Sequence, residues 1–236
     1  MRCCAIVLYF TSPTYFFCLF ILFSPVFDTL RHFLQTKKLI KILQISIFAA
    51  IATVLTFFEV PVFFAPSFYK LDFSNVVVLI SGFSIGPLAG VLTEFLKVLL
   101  KILIKGSTTV GLGDLASFVA GVALTLPSAA CYKKYRTFKG ACVAMLLGTI
   151  CLTAVSAILN YFILLPAYEI LFSISENTII SLGNTINPLI FDRFTFILFI
   201  VCPFNLFKGA LICSVTLILY KRLSVVINNL FKDFVK

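Results

Sequence analysis

Long charge-free runs decide the solvent of this chain before any other feature is considered. They are Cys3–Phe27, Ile42–Phe58, Phe73–Thr93, Leu115–Tyr132, Ala141–Tyr168 and Phe194–Tyr220, the last interrupted by Lys208. An α-helix needs roughly 20 largely apolar residues to cross about 30 Å of hydrocarbon, and these runs meet or approach that length. Strict apolar–polar alternation is absent, and the runs exceed the roughly 9–11 residues of a barrel strand. The expected fold class is therefore an all-α integral membrane protein. Charge supports it. Only 12% of residues are charged and 61% are hydrophobic, against about 25% charged in a soluble domain. A soluble enzyme, a disordered chain and a small disulfide scaffold are excluded on that ground.

The apolar stretch from Phe73 to Ile104 is interrupted only by Glu94, Lys97 and Lys101. As one helix it would be about 48 Å long, more than the bilayer accommodates. Gly86-Pro87 lies inside it and predicts a break. With the break, six helices follow, at about 39–58, 72–84, 87–104, 113–132, 140–165 and 191–220. Positive residues then sort to one side. Arg31, Lys37, Lys38, Lys41, Lys133, Lys134, Arg136, Lys139, Lys221, Arg222, Lys232 and Lys236 share the cytoplasmic face, twelve of the 19 basic residues. Lys70, Lys105 and Arg193 fall outside. The +10 net charge is thus read as a topology signal, and no nucleic-acid partner is expected. Residues 1–30 form a hydrophobic extension of open status: an extra helix, a signal-like segment without a cleavage motif, or sequence upstream of the true start. Residues 31–236 form the six-helix membrane domain.

The eight cysteines include no C-x-x-C pair and no histidine at metal spacing, so they read as small packing residues. His32, the single histidine, reads as a solvated interface residue. There is no P-loop and no catalytic constellation, so neither ATP hydrolysis, nor other enzyme activity, nor a metal is expected of this chain. Intramembrane polar groups carry more information. Asn205 and Lys208 are three apart and project from one helical face, and Asn160 stands near the outer end of the fifth helix. They could line one pocket open to the outside, or serve as interhelical glue with a snorkelling lysine. Glu94, Lys97 and Lys101 form a stripe read as a Glu94–Lys97 pair plus snorkelling toward the outer interface, with a contact to a partner or to the pocket edge as the alternative. Gly106 to Asp114 reads as a tight loop bordering a pocket, with Asp114 capping the next helix. Ser46 and Ala50 form a small-xxx-small pair that permits close helix approach, within the bundle or to a partner.

Several motifs now coincide in order. They are Phe57-Phe58-Glu59-Val60-Pro61, Lys70-Leu71-Asp72-Phe73-Ser74, Gly86-Pro87-Leu88-Ala89-Gly90, Gly106-Ser107-Thr108-Thr109 with Gly113-Asp114, Asn160-Tyr161-Phe162 through Pro166, and Pro203-Phe204-Asn205-Leu206-Phe207-Lys208-Gly209. Together, over about residues 40–222, they resemble the riboflavin-binding S component of the energy-coupling factor (ECF) vitamin transporters. The resemblance implies a six-helix bundle in the bacterial plasma membrane, with both ends of the core cytoplasmic. It implies capture of riboflavin from outside, with flavin mononucleotide left open, and work with a transmembrane T component and two ATPases. It implies no cofactor beyond riboflavin as the carried ligand. Asn160, Asn205 and Lys208 match the family positions that hydrogen-bond the flavin ring. Leu71, in the loop bordering the outer mouth, and Thr109, in the Gly-rich loop, complete the implied binding set. Ser46 and Ala50 match the family's Ala-xxx-Ala contact with the T component, with Ser replacing one Ala. Asp114 stands where the family often has Glu, and the stretch Glu169–Arg193 is longer than the resemblance leads one to expect. The alternatives are an S component for thiamin, biotin or pantothenate, and a non-transporting membrane scaffold.

Overall fold

The computed structural model describes residues 37–62, 66, 69–107, 109–172 and 175–232. The extension 1–30, with Arg31, His32, Thr108 and Lys236, lies outside the described residues. The described elements run α1 (Lys37–Leu55), β1 (Val60–Pro61), β2 (Lys70–Leu71), α2 (Ser74–Ser84), α3 (Pro87–Lys105), α4 (Leu112–Lys134), α5 (Phe138–Leu159), a π-turn (Asn160–Leu164), α6 (Leu165–Phe172), α7 (Glu176–Asn184), α8 (Arg193–Phe196), a second π-turn (Ile197–Val201) and α9 (Cys202–Lys232). The chain divides into two compact units, Met1–Leu43 with Asn228–Lys236, and Gln44–Ile227. In the first, the described residues are the opening of α1 and the close of α9; the helix packing and cavities described below belong to the second.

Because α5 passes through its π-turn into α6, and α8 through the other into α9, the described residues hold, besides the short α7, six helical stretches where six are expected. Four of them are long and apolar enough to cross a membrane: Lys38–Leu55, Leu112–Lys134, Phe138–Leu171 and Arg193–Leu219. The predicted break holds. Gly86 takes φ 139°, open to glycine, and Pro87 starts α3 at a position where its missing N–H costs nothing. The resulting α2 has 11 residues and is about 16 Å long, half the hydrocarbon thickness. It does not meet lipid: Ser74 through Phe83 are all buried. Its Val76–Ile80 segment forms the centre of a core with Phe48, Ala52, Leu124, Met145, Leu152 and Ile212.

Helix α3 shows which solvent the fold is built for. Leu88, Leu92, Phe95, Leu99 and Leu103 make one exposed stripe, while Gly90, Thr93, Glu94 and Lys97 face inward and are buried. Apolar residues outside and charges inside are the pattern of a helix whose surroundings are lipid.

The expected pair of Glu94 with Lys97 is present and lies deeper than an interface. The Lys97 Nζ does not snorkel outward; it lies 2.7 Å from Glu94 Oε1 and bonds Asn75 Oδ1 at 2.8 Å and Ser74 Oγ at 3.2 Å. The opening of α2 supplies Ser74 and Asn75, and α3 itself supplies Glu94, so three acceptors hold the ammonium inside the bundle. Gly121 makes room for the carboxyl, since a Cβ there would sit 2.1 Å from Glu94 Oε1.

The fifth helical stretch runs on to Phe172 rather than stopping before Pro166, and the last reaches Lys232. Pro166 has no N–H for the preceding turn and its ring would crowd it. The π-turn that ends at Leu164 widens the helix just ahead of that ring. Pro203 stands in the same relation to the π-turn ending at Val201. In the stretch Glu169–Arg193 the structure places α7, capped by the Ser175 side chain accepting from the Thr178 N–H. It packs on α6 and α8. Ile179, Ile190, Phe196, Ile200 and Phe204 build a second apolar cluster there.

Candidate functional site

Three adjoining cavities open among the ends of α3 to α6, α9 and the β1–β2 segment. One, of about 190 Å³, is lined by Asn160, Asn205 and Lys208 together with Ser117, Ser156, Leu159 and Phe204. The second, of about 250 Å³, is apolar, with Leu164, Leu165, Ile179, Leu182 and Phe196 around Asn160. The third, of about 320 Å³, is polar: Glu59, Asp72 and Asp114 face Lys70, Lys101 and Lys208. Tyr168 borders all three, and Tyr69 the first two.

Each π-turn sets one of the two amides. Asn160 opens the first π-turn, and its Nδ2 donates to Ser156 O at 2.7 Å. Its Oδ1 accepts from the Tyr69 hydroxyl at 2.8 Å. Asn205 follows the second and donates from Nδ2 to Val201 O at 2.8 Å. Each carboxamide has two N–H donors and an acceptor oxygen. One N–H anchors each to its own helix. Tyr69 stacks on Phe204 at 5.0 Å between ring centres. Burial pushes the Tyr69 phenol pKa up, with Tyr168 adding to the effect, so it stays a neutral donor.

Lys208 is one helical turn from Asn205 and 3.7 Å from Asp72 Oδ2. Asp72 also accepts from the Ser74 N–H at 2.9 Å and, more closely, from the Ser74 hydroxyl. Burial alone would raise the Asp72 pKa. The Lys208 and Lys97 ammoniums and the two Ser74 bonds outweigh it and bring the pKa down to about 2. The polar cavity is paired throughout: Lys101 with Asp114 at 3.1 Å, and Lys70 and Lys105 each with Glu59 at 3.1 Å. For Glu59 burial raises the pKa, but its bonds to the two lysines prevail and lower it.

The residues singled out from sequence fare differently. Asn160, Asn205 and Lys208 share one cavity, and Thr109 lines the two beside it. Leu71 lines none of the three and packs against the second apolar cluster instead. Asp114 is in the first turn of α4 and does not cap it; Gly111 occupies the cap position at φ 86°. The Gly111 N–H donates to Ser107 Oγ and the Gly113 N–H to Thr109 Oγ1, while Asp114 pairs with Lys101. Ser46 and Ala50 lie on the exposed face of α1 with Ile47, Ile51 and Val54, whereas Ala49 and Thr53 face inward.

Sequence reasoning missed the two tyrosines, the role of Asp72 as partner of Lys208, and the α7 wall. Asp72 had a signal: an acid in a quoted motif, opposite in sign to the one mid-helix lysine. Among the described residues, no group of three or more His, Cys, Asp or Glu is placed to hold a metal ion.

The comparisons with known proteins bear on this geometry. The profile described as ECF transporter, substrate-specific component, matches residues 37–220. The riboflavin transporter RibU of Staphylococcus aureus (strain TCH60) is 36% identical over 190 residues, covering 80% of this chain and 92% of that protein. The riboflavin transporter FmnP of Bacillus subtilis (strain 168) is 34% identical over 189 residues, covering 79% and 93%. A solved structure of the S component of a bacterial ECF transporter superposes with a TM-score of 0.62 at 34% identity, covering 79% of this chain and 96% of that one.

Proposed function

The chain belongs to the substrate-specific components of ECF transporters, and from that premise we propose that it is the subunit that captures riboflavin. The observation that carries this reading is the convergence of Asn160, Asn205 and Lys208 on one cavity, with an apolar cavity beside it. The pyrimidine-like edge of a flavin alternates carbonyl acceptors with an N–H donor. Carboxamides both donate and accept, and a lysine only donates, so the set matches that edge. The benzenoid end suits the Leu164–Phe196 cavity. The ribityl chain, a neutral polyol, suits the polar cavity. Three lysines and three carboxylates line it, and a polyol can bond to both. The names of the relatives support the same ligand.

The remaining parts of the cycle lie on other chains. The exposed Ser46–Ala50 face of α1 is offered to a transmembrane T component, and two ATPases on the cytoplasmic side supply hydrolysis. Both ends of the core face the cytoplasm. Co-purification of the chain with a T component and two ATPases tests this assembly; isolation without them under mild detergent counts against it.

The purified chain, yellow or quenching flavin fluorescence, is the direct test of the ligand. Stabilisation by thiamin, biotin or pantothenate and not by riboflavin overturns the reading. Flavin mononucleotide is expected to bind more weakly than riboflavin, because its phosphate must displace a carboxylate from a lysine already paired. Titration of both flavins checks it.

A further inference from the structure

We propose that α7 supplies the wall that reads the methylated benzenoid edge of the flavin, with Leu182 as a specificity-determining residue. The inference rests on the riboflavin reading above and extends it to a segment that neither the motifs nor the family resemblance assigned.

The apolar cavity takes two of its lining residues from α7, Ile179 and Leu182. Ile179 is 6% exposed and anchors the helix in the second apolar cluster. Leu182 is 47% exposed although it lines an apolar cavity, so a ligand seated there would cover it. The cavity adjoins the one that holds Asn205 and Lys208, and Asn160, Tyr69 and Tyr168 line both. A flat ring held at one edge by Asn160 therefore extends its other end toward α7.

The wall is fixed in place. Arg193 Nε donates to Glu176 Oε1 at 2.6 Å and its Nη2 reaches Glu176 Oε2, clasping the start of α7 to the start of α8. The guanidinium also lies over the Tyr161 ring at 5.4 Å. At the other end Gly183 lets the Phe196 ring approach; a Cβ there would stand 2.8 Å from Phe196 Cδ2. Asn184 Nδ2 donates to Ile190 O at 2.8 Å, closing the return loop. A short helix held at both ends can discriminate shape, which a loose loop cannot.

The test compares riboflavin with 7,8-didemethylriboflavin, which lacks only the two methyl groups, by fluorescence quenching on the full purified chain. Burial of two methyl groups predicts that the wild type prefers riboflavin by about tenfold. Leu182→Ala is expected to cut that preference to about threefold or less, chiefly by weakening riboflavin, while Leu182→Met keeps it near the wild-type value. A variant harmed only in folding would lose both flavins together. An unchanged ratio in Leu182→Ala, or equal losses for both flavins, overturns the inference while leaving the riboflavin reading intact. A wild type that binds neither flavin overturns both.

Discussion

At the scale of single residues the site depends on which lysines are committed elsewhere. Lys208 and Lys101 both line the polar cavity, yet only Lys208 also borders the cavity of Asn160 and Asn205. Lys208→Ala should weaken riboflavin binding about ten- to hundredfold, the loss of a charge-assisted hydrogen bond. Lys101→Ala should change it by less than about threefold; flavin fluorescence titration of both variants decides. Lys97 makes a different prediction. Its pair with Glu94 is sealed in the bundle, with side-chain exposures of 3% and 0%. Lys97→Met should cost about 3–5 kcal/mol by stranding the carboxylate, and the double variant Glu94→Gln, Lys97→Met should recover most of it. Thermal unfolding in detergent, followed by circular dichroism, reads both. The amides and Lys208 were legible in sequence because a polar group in an apolar run stands out. Tyr69 and Asp72 were not, because their partners, Asn160 and Lys208, lie far along the chain. Leu71 packs against the apolar cluster of Phe196 and Phe204.

Among the elements, close helix contact is set by small residues. Gly148 on α5 faces α4 so closely that a Cβ would lie 1.9 Å from Ser128 Oγ and 2.5 Å from Leu124 O. Gly148→Val should therefore force α4 and α5 apart and destabilise the bundle by about 1–3 kcal/mol, seen as a lower midpoint in the same thermal assay. Ser128→Ala would relieve only the nearer clash, because the Leu124 carbonyl is backbone and cannot withdraw. The helices themselves were legible from run length, the Gly86-Pro87 break and the side on which lysines fall. The π-turns were not, since no apolar period distinguishes them from α-helix. Pro166 and Pro203, each two residues after a π-turn, were the available signal. Pro166 reads as a helix end because a proline in a regular α-helix usually is one, whereas Pro203 reads as lying inside the last helix, where the structure has it. Helix α7 was hidden for a related reason. Nine residues with Ser, Asn and Gly among them carry too little apolar period to stand out from a loop.

For the molecule as a whole, lipid is the solvent and the charges are gathered inside it in pairs. Asp72 shows what that does to pH dependence. Its pKa falls from an ordinary 3.8 to about 2, so the unfolded chain binds the proton more readily than the folded one. The stability it contributes is therefore complete above about pH 4 and is lost as pH falls from there through about 2. The thermal midpoints of wild type and Asp72→Asn should accordingly differ by a constant amount from pH 5 to pH 8; a gap that shrinks in that window would contradict the pairing. The same pairing bears on energy of another kind. An unbalanced elementary charge moved through a membrane potential costs or yields about 2.3 kcal/mol per 100 mV. Around the polar cavity Lys70, Lys101, Lys105 and Lys208 stand against Glu59, Asp72 and Asp114, one positive charge in excess, and the proposed cargo, riboflavin, is itself uncharged. A motion that carried this cluster across the bilayer would move that one charge whether or not riboflavin is seated, so the membrane voltage would act alike on the empty and the loaded subunit.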